Sequence, residues 1–480
     1  MHIGLPSNSR GTASRLGSDR APNGIAYVFA LVMLGLLTSL AVAMMAGANL
    51  NLKRGENLHH SVSAQLSAES GLQFLLLCLE DVRMPADTDG ETFMANLAGK
   101  LADKLDGTPN LGDGTVCLSG TTIWIPAITV GMTTFSCSVA AIAPDGDGTP
   151  RCRLSATGTS GLAPRTVCVD LRLTSKPADA FNYAIASRGS ISVSGNATID
   201  GVSSPDEGNI LSIHEDAIAI SLGGSATIGG DLFLTAEGED SIYLSGGGLS
   251  VGGTSDVDEI LAHHVHRLTD EPDFPELDLA PFASLATNVI DSGTDLTGPG
   301  LVLDNVRVAA GTNPEFTNDT VINGILYVEA PNKVTFKSKA TVNAVIVTED
   351  ASELPLADNQ LDFKGQVTAP GVSALPDTSE FADVKQQTGT IILAPGFGVT
   401  FRGGVNSING TVAADQFSFR GNATIDGEVS GTIIGLSQSD LVMQGNATIL
   451  VNRAEADPTP AGFVHYKGVS LVSGSYTETH

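Results

Sequence analysis

Between residues 191 and 449 one nine-residue pattern keeps returning: apolar, x, apolar, x, Gly or Ser, x, small, Thr, apolar. The clearest copies are ISVSGNATI at 191–199, ISLGGSATI at 220–228, FSFRGNATI at 417–425 and LVMQGNATI at 441–449. VTFKSKATV at 334–342 is more diverged, and IYLSGGGLS at 242–250, LDFKGQVTA at 361–369 and VTFRGGVNS at 399–407 are weaker versions. All the apolar positions share one parity, so each copy reads as a short strand with one buried face. Most starts lie 18 to 29 residues apart, the spacing of a stacked β-coil in which successive copies fill one narrow apolar column. Two longer gaps leave room for insertions or for further copies too diverged to recognise. The Gly lets the chain turn a corner that a Cβ would obstruct.

Within this pattern the string GNATIDG occurs twice, at 195–201 and 421–427. A metal or catalytic loop used twice would keep its acidic residue. Asp200 and Asp426 instead become Gly229, Leu450 and Asn343 in other copies. Asn196, Asn422 and Asn446 sit in N-x-Thr acceptor sequences, but the recurring strand–corner unit already accounts for them. The string therefore reads as structure.

Composition agrees with thin β layers: 54 glycines, 5% aromatics and 16% charged residues favour tightly stacked strands over a bulky helical core. The formal charge of −28 argues against nucleic acid as a partner, because phosphate binding needs a basic face.

The N-terminal region has a different character. Residues 25–48, IAYVFALVMLGLLTSLAVAMMAGA, are uncharged and exceed the ~20 residues a bilayer-spanning helix needs. Arg10, Arg15 and Arg20 precede them, which predicts a cytoplasmic N-terminus, a single inner-membrane pass and an extracytoplasmic bulk. A cleaved secretory signal is the competing reading, but its apolar core is shorter and ends in a small-x-small site. No turn cluster interrupts 49–84, and Leu58, Val62, Leu66, Leu72, Leu75, Leu76, Leu79 and Val82 approach a helical period. The spacing predicts one transmembrane and stalk helix over 25–84.

This N-terminus resembles that of type IV pilins and pseudopilins, particularly the PilX-like minor pilins. The resemblance rests on a polar Arg-bearing leader ending Asn23-Gly24, the run IAYVFALVMLGLLTSLAV, and the continuation SAQLSAESGLQFLLL. It implies cleavage between Gly24 and Ile25 and assembly with pilin or pseudopilin subunits through the freed helix. The first mature residue would be Ile25, where major pilins usually carry Phe. The fifth would be Phe29, where most carry Glu. Both departures point to a minor rather than a major subunit. The segment CRLSATGTSGLAPRTVCVDLRL at 152–173 resembles the end of minor-pilin heads and reads independently as a β-hairpin. The repeat half resembles bactofilin-like and other bacterial surface β-solenoids.

Cys117, Cys137, Cys152 and Cys168 fall on the exported side, in even number, and are disulfide candidates. Three pairings are possible, and alternation leans toward Cys137–Cys152. Cys78 is the odd one, and buried free thiols are the alternative. Without a CxxC spacing, zinc has no obvious site. The cluster HHVHRLTDEPDFPELD at 263–278 offers His263 and His266 as metal-ligand candidates if helical; the plainer reading is a polar connection with solvated histidines. PDGDGTP at 144–150 lacks a full calcium-loop spacing and reads as a hairpin turn. Arg402, Arg420, Lys337, Lys339 and Lys364 alternate with the apolar positions. They form either a basic strip or, more plainly, a solvated outer face.

The expected fold is mainly β: a transmembrane/stalk α-helix, a small α/β or β head, then a parallel β-solenoid (β-helix). The expected boundaries are a leader at 1–24, helix at 25–84, head at 85–175, solenoid at 176–260 and 301–455, a polar Pro-containing insertion at 261–300 and a tail at 456–480. The expected role is non-enzymatic and without cofactor: a minor or accessory component of a type IV pilus or type II secretion-like system, with the membrane, pilin-like subunits and surface glycans as partners. A carbohydrate-binding or carbohydrate-cleaving β-helix and a bactofilin-like polymerising scaffold are the rivals.

Overall fold

The computed structural model describes residues 23–131, 133–215, 218–317, 319–402, 405–408, 410–420, 424–429, 431–453 and 460–479, without the side chains of 23–24, 405–408 and 424–429. The leader before Asn23, and Gly421–Ala423 of the second GNATIDG, lie outside the described residues. The chain is mainly β and divides into two units. One comprises Met1–Leu79, Leu101–Arg172 and Leu471–His480, and the other Glu80–Lys100 and Leu173–Ser470.

The first unit is built on helix α1 (Asn23–Glu80). No proline interrupts it, and Pro85 follows its end. From Ala64 onward small and apolar residues form one stripe: Ala64, Ala68, Leu72, Leu75 and Leu79 are buried, at the spacing of a helix laid on a core. The stripe lies on an antiparallel sheet of β1 (Cys117–Ser119), β2 (Thr122–Val130), β3 (Thr133–Ile142), β4 (Arg151–Ser160) and β5 (Ala163–Lys176), in that order. Alternation puts Ile123, Ile125, Phe135, Cys137, Val139, Leu154 and Ala156 on the buried face. Helix and sheet approach closely at Gly158, where a Cβ would stand 2.1 Å from the Ala64 carbonyl oxygen. The sequence expects the hairpin of 152–173 and the turn at 144–150. Both are present: β4 pairs β5 from Arg151↔Arg172 to Ser160↔Ala163, and Gly148 donates to the Asp145 carbonyl at 2.9 Å in the β3–β4 turn. Helix α2 (Phe93–Leu105) is a further element of the chain.

Two expectations for this unit change. The expected tail at 456–480 ends in a strand, because Thr477–Thr479 adds to β5 with Thr477↔Cys168 and Thr479↔Thr166 in register. The parallel half is thus inserted between β5 and the last strand of the head. The favoured Cys137–Cys152 bridge also fails. Cys137 lies opposite Ala156 and Cys152 opposite Ala141, four residues out of register, roughly 13 Å along a strand. A disulfide tolerates about 7 Å between Cα atoms. None of the five cysteines, all among the described residues, is in a disulfide: Cys117 is exposed, while Cys78, Cys137, Cys152 and Cys168 are buried.

The second unit is dominated by a 25-stranded sheet whose strand-to-strand pairings, among the described residues, run parallel. The eight copies of the pattern form one uninterrupted line in it. Val334 pairs with Leu361, Leu361 with Val399, Val399 with Phe417, and Phe417 with Leu441. Leu441 pairs with Ile191, Ile191 with Ile220, and Ile220 with Ile242. A ninth strand that the pattern misses, Glu315–Phe316, precedes Thr335–Phe336. The later segment of the chain therefore comes first in space, and the earlier one stacks on its end. The near-identical strings become intelligible at that junction. Gly445 lies on Gly195 and Thr448 on Thr198, and Thr448 also pairs with Thr424 of the second GNATIDG. The Asn196 side chain donates to Asn446 Oδ1 at 3.0 Å. Gly195 has φ +89, and a Cβ there would meet the Gly445 carbonyl oxygen at 2.5 Å, so side chains are excluded at this corner.

The core follows the pattern. Ile191, Val193, Ala197, Ile199, Ile220, Leu222, Ile228, Leu441, Met443 and Ile449 are 0–1% exposed. Phe316, Phe336, Phe363, Phe401 and Phe419 stack one per strand with ring centroids 4.7–5.2 Å apart. A second line of strands runs from Asn288–Ile290 to Val265–Arg267 through Val306, Leu326, Ile346, Ile392, Val412, Ile433, Ile185, Ile210 and Leu232.

The expected insertion at 261–300 is a crossover. It leaves one end of the stack at Val265–Arg267 and re-enters the other at Asn288–Ile290. The span is about ten strand spacings, roughly 48 Å, within the roughly 66 Å that twenty extended residues can reach. Its Phe274, Phe282 and Ala286 are buried against outward residues of the sheet, including Leu211, Ile325, Val345, Leu393 and Ile434.

Candidate functional site

Three places carry chemistry beyond packing. The first is the free half of α1. Ile25, Tyr27, Phe29, Leu31, Leu34, Leu37, Leu40, Met44 and Leu50 are all more than half exposed. In water such a surface is far larger than the apolar patches ordinary soluble chains tolerate. Helix α1 is long and apolar enough to cross a membrane, and residues 25–48 alone would run roughly 36 Å against a hydrocarbon core of about 30 Å. Gly24 and Ile25 lie in its first turn.

The second is the histidine cluster, which is not the one the sequence points to. Helix α3 (Val257–His263), capped by Asp256 through the backbone N–H groups of Asp258 and Glu259, ends at His263. His266 lies in the strand Val265–Arg267, so the two candidates share no helical face. His263 is exposed. The pair that does meet is His264 and His266, whose Nδ1 and Nε2 each lie 2.7 Å from one oxygen of Asp231. Burial works to raise the Asp231 carboxyl, but the hydrogen bonds from His264 and His266 outweigh it and hold it below the usual carboxylate range. The His266 ring stacks on Phe233 at 4.8 Å, as expected of outward residues on neighbouring strands. Among the described residues no group of three or more ligating side chains converges for a metal.

The third is the outer face of the phenylalanine column. Lys337, Lys364, Arg402 and Arg420 each follow one of the stacked phenylalanines. Each backbone N–H donates to the phenylalanine carbonyl one strand earlier: Lys337 to Phe316, Lys364 to Phe336, Arg402 to Phe363 and Arg420 to Phe401, at 2.8–2.9 Å. The four are equivalent positions on consecutive strands, all solvent-exposed. Glu315 meets Lys337 Nζ at 2.5 Å. Asp362 is shared by Lys364 at 3.1 Å and Arg402 at 3.3 Å. Arg420 Nε donates to Ser418 Oγ at 2.9 Å. Lys339 is exposed two residues beyond Lys337 and off this line.

Elsewhere on the stack a cleft of ≈ 470 Å³ is lined by Ser352, Leu354, Leu356, Gly396, Asp415 and Ser437–Ser439. Asp415 is 9% exposed. Burial pushes its carboxyl above the usual range, against a backbone hydrogen bond from Gly396, and nearby Asp350 adds to the rise. Glycoside cleavage uses two carboxyl groups across one bond, and among the described residues Asp415 is the one carboxylate lining this cleft. The sequence gives no signal for Asp415, since its burial depends on loops far from it in the chain.

No protein-family model matches the chain, and no curated protein matches it. Among solved structures the chain is similar to the competence-associated pilin ComZ from Thermus thermophilus, with 12% identity over 88% of this chain and 97% of that one and a TM-score of 0.26.

Proposed function

We propose that this chain is a membrane-anchored, pilin-like accessory subunit that holds a β-solenoid outside the membrane, acting by assembly and surface contact. One observation carries the reading: α1 is a single helix whose first half is apolar and exposed while its last turns, from Ala64, bury one stripe against a small antiparallel sheet. A soluble protein has no use for the first half, and a simple signal anchor has no need of the second. The leader arginines Arg10, Arg15 and Arg20 support a cytoplasmic N-terminus, and the Asn23-Gly24-Ile25 sequence supports processing after Gly24. The solenoid reading is supported by parallel pairing of every pattern copy with the next. Its insertion between β5 and the last head strand gives a way to enlarge a subunit while both ends of the head stay together.

The test is where the helix goes. A photo-crosslinking residue replacing Leu36 in the full chain, expressed in cells that make type IV pili or pseudopili, should give adducts with pilin-like subunits, and alkaline carbonate should leave the chain in the membrane. Adducts with lipid alone, or release into the soluble fraction, would remove the assembly reading.

A further inference from the structure

The line of cations on the parallel sheet has no structural necessity. The same position is Thr317 on the strand before Lys337, and Gln444 and then Ser194 on the strands after Arg420. Neutral polar residues therefore serve the fold there. The chain nevertheless places four of its 25 basic residues in one contiguous row, against 53 acidic residues overall. Neighbours in the row are set by the strand spacing, seen directly in phenylalanine centroids 4.7–5.0 Å apart beneath Lys337, Lys364, Arg402 and Arg420. Like charges at that separation repel one another even in water. The two carboxylates in the adjacent row that meet it, Glu315 and Asp362, neutralise only half of it. An acidic protein thus maintains a positive strip at some cost to its own stability.

The shape of the strip selects its ligand. Four cations in a straight row do not converge on a point, so a compact anion meets one or two of them at a time. A thin linear polymer with one negative charge per repeat, at a pitch near the strand spacing, meets all four. A DNA duplex fits less well. It carries a charge about every 1.7 Å of its axis, far denser than the row. We propose that Lys337, Lys364, Arg402 and Arg420 form a docking strip for a linear acidic polysaccharide lying along the stack, with one carboxylate on each strand's cation. The strip would make the displayed half of the molecule a glycan-contacting surface. It does not depend on the membrane role of α1, and the two can fail separately.

The experiment uses the full chain in detergent, with polygalacturonate as probe, its fully methyl-esterified form as the neutral control, and single-stranded and duplex DNA as competitors. Polygalacturonate should bind at low salt, weaken steeply as salt rises, and lose binding on esterification. Arg402→Gln and Arg420→Gln should each weaken binding by about threefold to tenfold, and the variant with all four cations replaced by Gln should not bind. Glu315→Gln, which frees Lys337, should strengthen binding; a gain of this kind cannot come from misfolding. Lys385→Gln, whose partner Asp377 lies off the row, should change nothing. The proposal is overturned if polygalacturonate does not bind, if the fourfold variant binds as well as the parent, or if DNA binds more tightly through the same four residues.

Discussion

Joining residues 196 and 446 covalently should stabilise the parallel half, because the two positions are 250 residues apart in sequence but sit at stacked corners directly after the paired Gly195 and Gly445. Their side-chain amides are hydrogen-bonded at 3.0 Å, and both positions are exposed. Parallel strands are about 4.8 Å apart, inside the roughly 4.4–6.8 Å between Cα atoms that a disulfide spans. Asn196→Cys with Asn446→Cys, in a Cys117→Ser background to remove the one exposed native thiol, should therefore oxidise readily. Closing a loop this long removes unfolded-state entropy worth at most roughly 5.5 kcal/mol, and about 2–4 kcal/mol is usual. The lost amide bond takes back about 1 kcal/mol. A net gain of about 1–3 kcal/mol should raise the melting midpoint by roughly 1.5–4.5 °C, reversed by reductant. Peptide mapping of the oxidised protein should find 196 linked to 446. Two thiols that stay alkylatable under oxidant, or a bridge that lowers the midpoint, would refute the order of strands in the stack.

Phe363→Ala removes a side chain 2% exposed and stacked between Phe336 and Phe401; it should cost about 3–5 kcal/mol, whereas Asn196→Asp on the outer corner should cost about 1 kcal/mol, and the reverse ranking in thermal melts would count against a phenylalanine core. Asp415 has its carboxyl pKa raised in the fold, so its penalty is absent below the unfolded value near about 3.9 and grows as pH rises through the folded one. Asp415→Asn should accordingly melt higher than the parent at pH 7 and match it near pH 3; equal midpoints at pH 7 would show that the carboxylate is solvated.

What was legible in the sequence was local. The parity of Ile191, Val193 and Ile199 identifies a strand and its buried face without any knowledge of partners, and the same holds for Ile220, Leu222 and Ile228 and for Leu441, Met443 and Ile449. The order of the copies was not legible, because a repeat carries no address: the inner surface that Leu441 offers Ile191 differs little from what any other copy would offer. The crossover at 268–287 looked like an insertion for the same reason, since nothing in Phe274 or Phe282 says which distant strands they cover. His263 and His266 were tied together by a helical spacing that α3 does not sustain past its last residue. The favoured cysteine bridge assumed that two apolar-facing thiols on neighbouring strands would be in register, and they are offset by four. The cation row was visible as alternation at Lys337, Lys364, Arg402 and Arg420, but its alignment on consecutive strands requires the pairing.

The claim that α1 is a processed, membrane-embedded assembly helix is tested most directly by mass spectrometry of the N-terminus of the full chain, recovered from membranes of cells that carry a prepilin peptidase. The account predicts a mature chain beginning at Ile25, and an unprocessed, membrane-retained precursor when Gly24→Lys is introduced. A mature end near Ala46 or Gly47, or an intact Met1 on the exported protein, would contradict it.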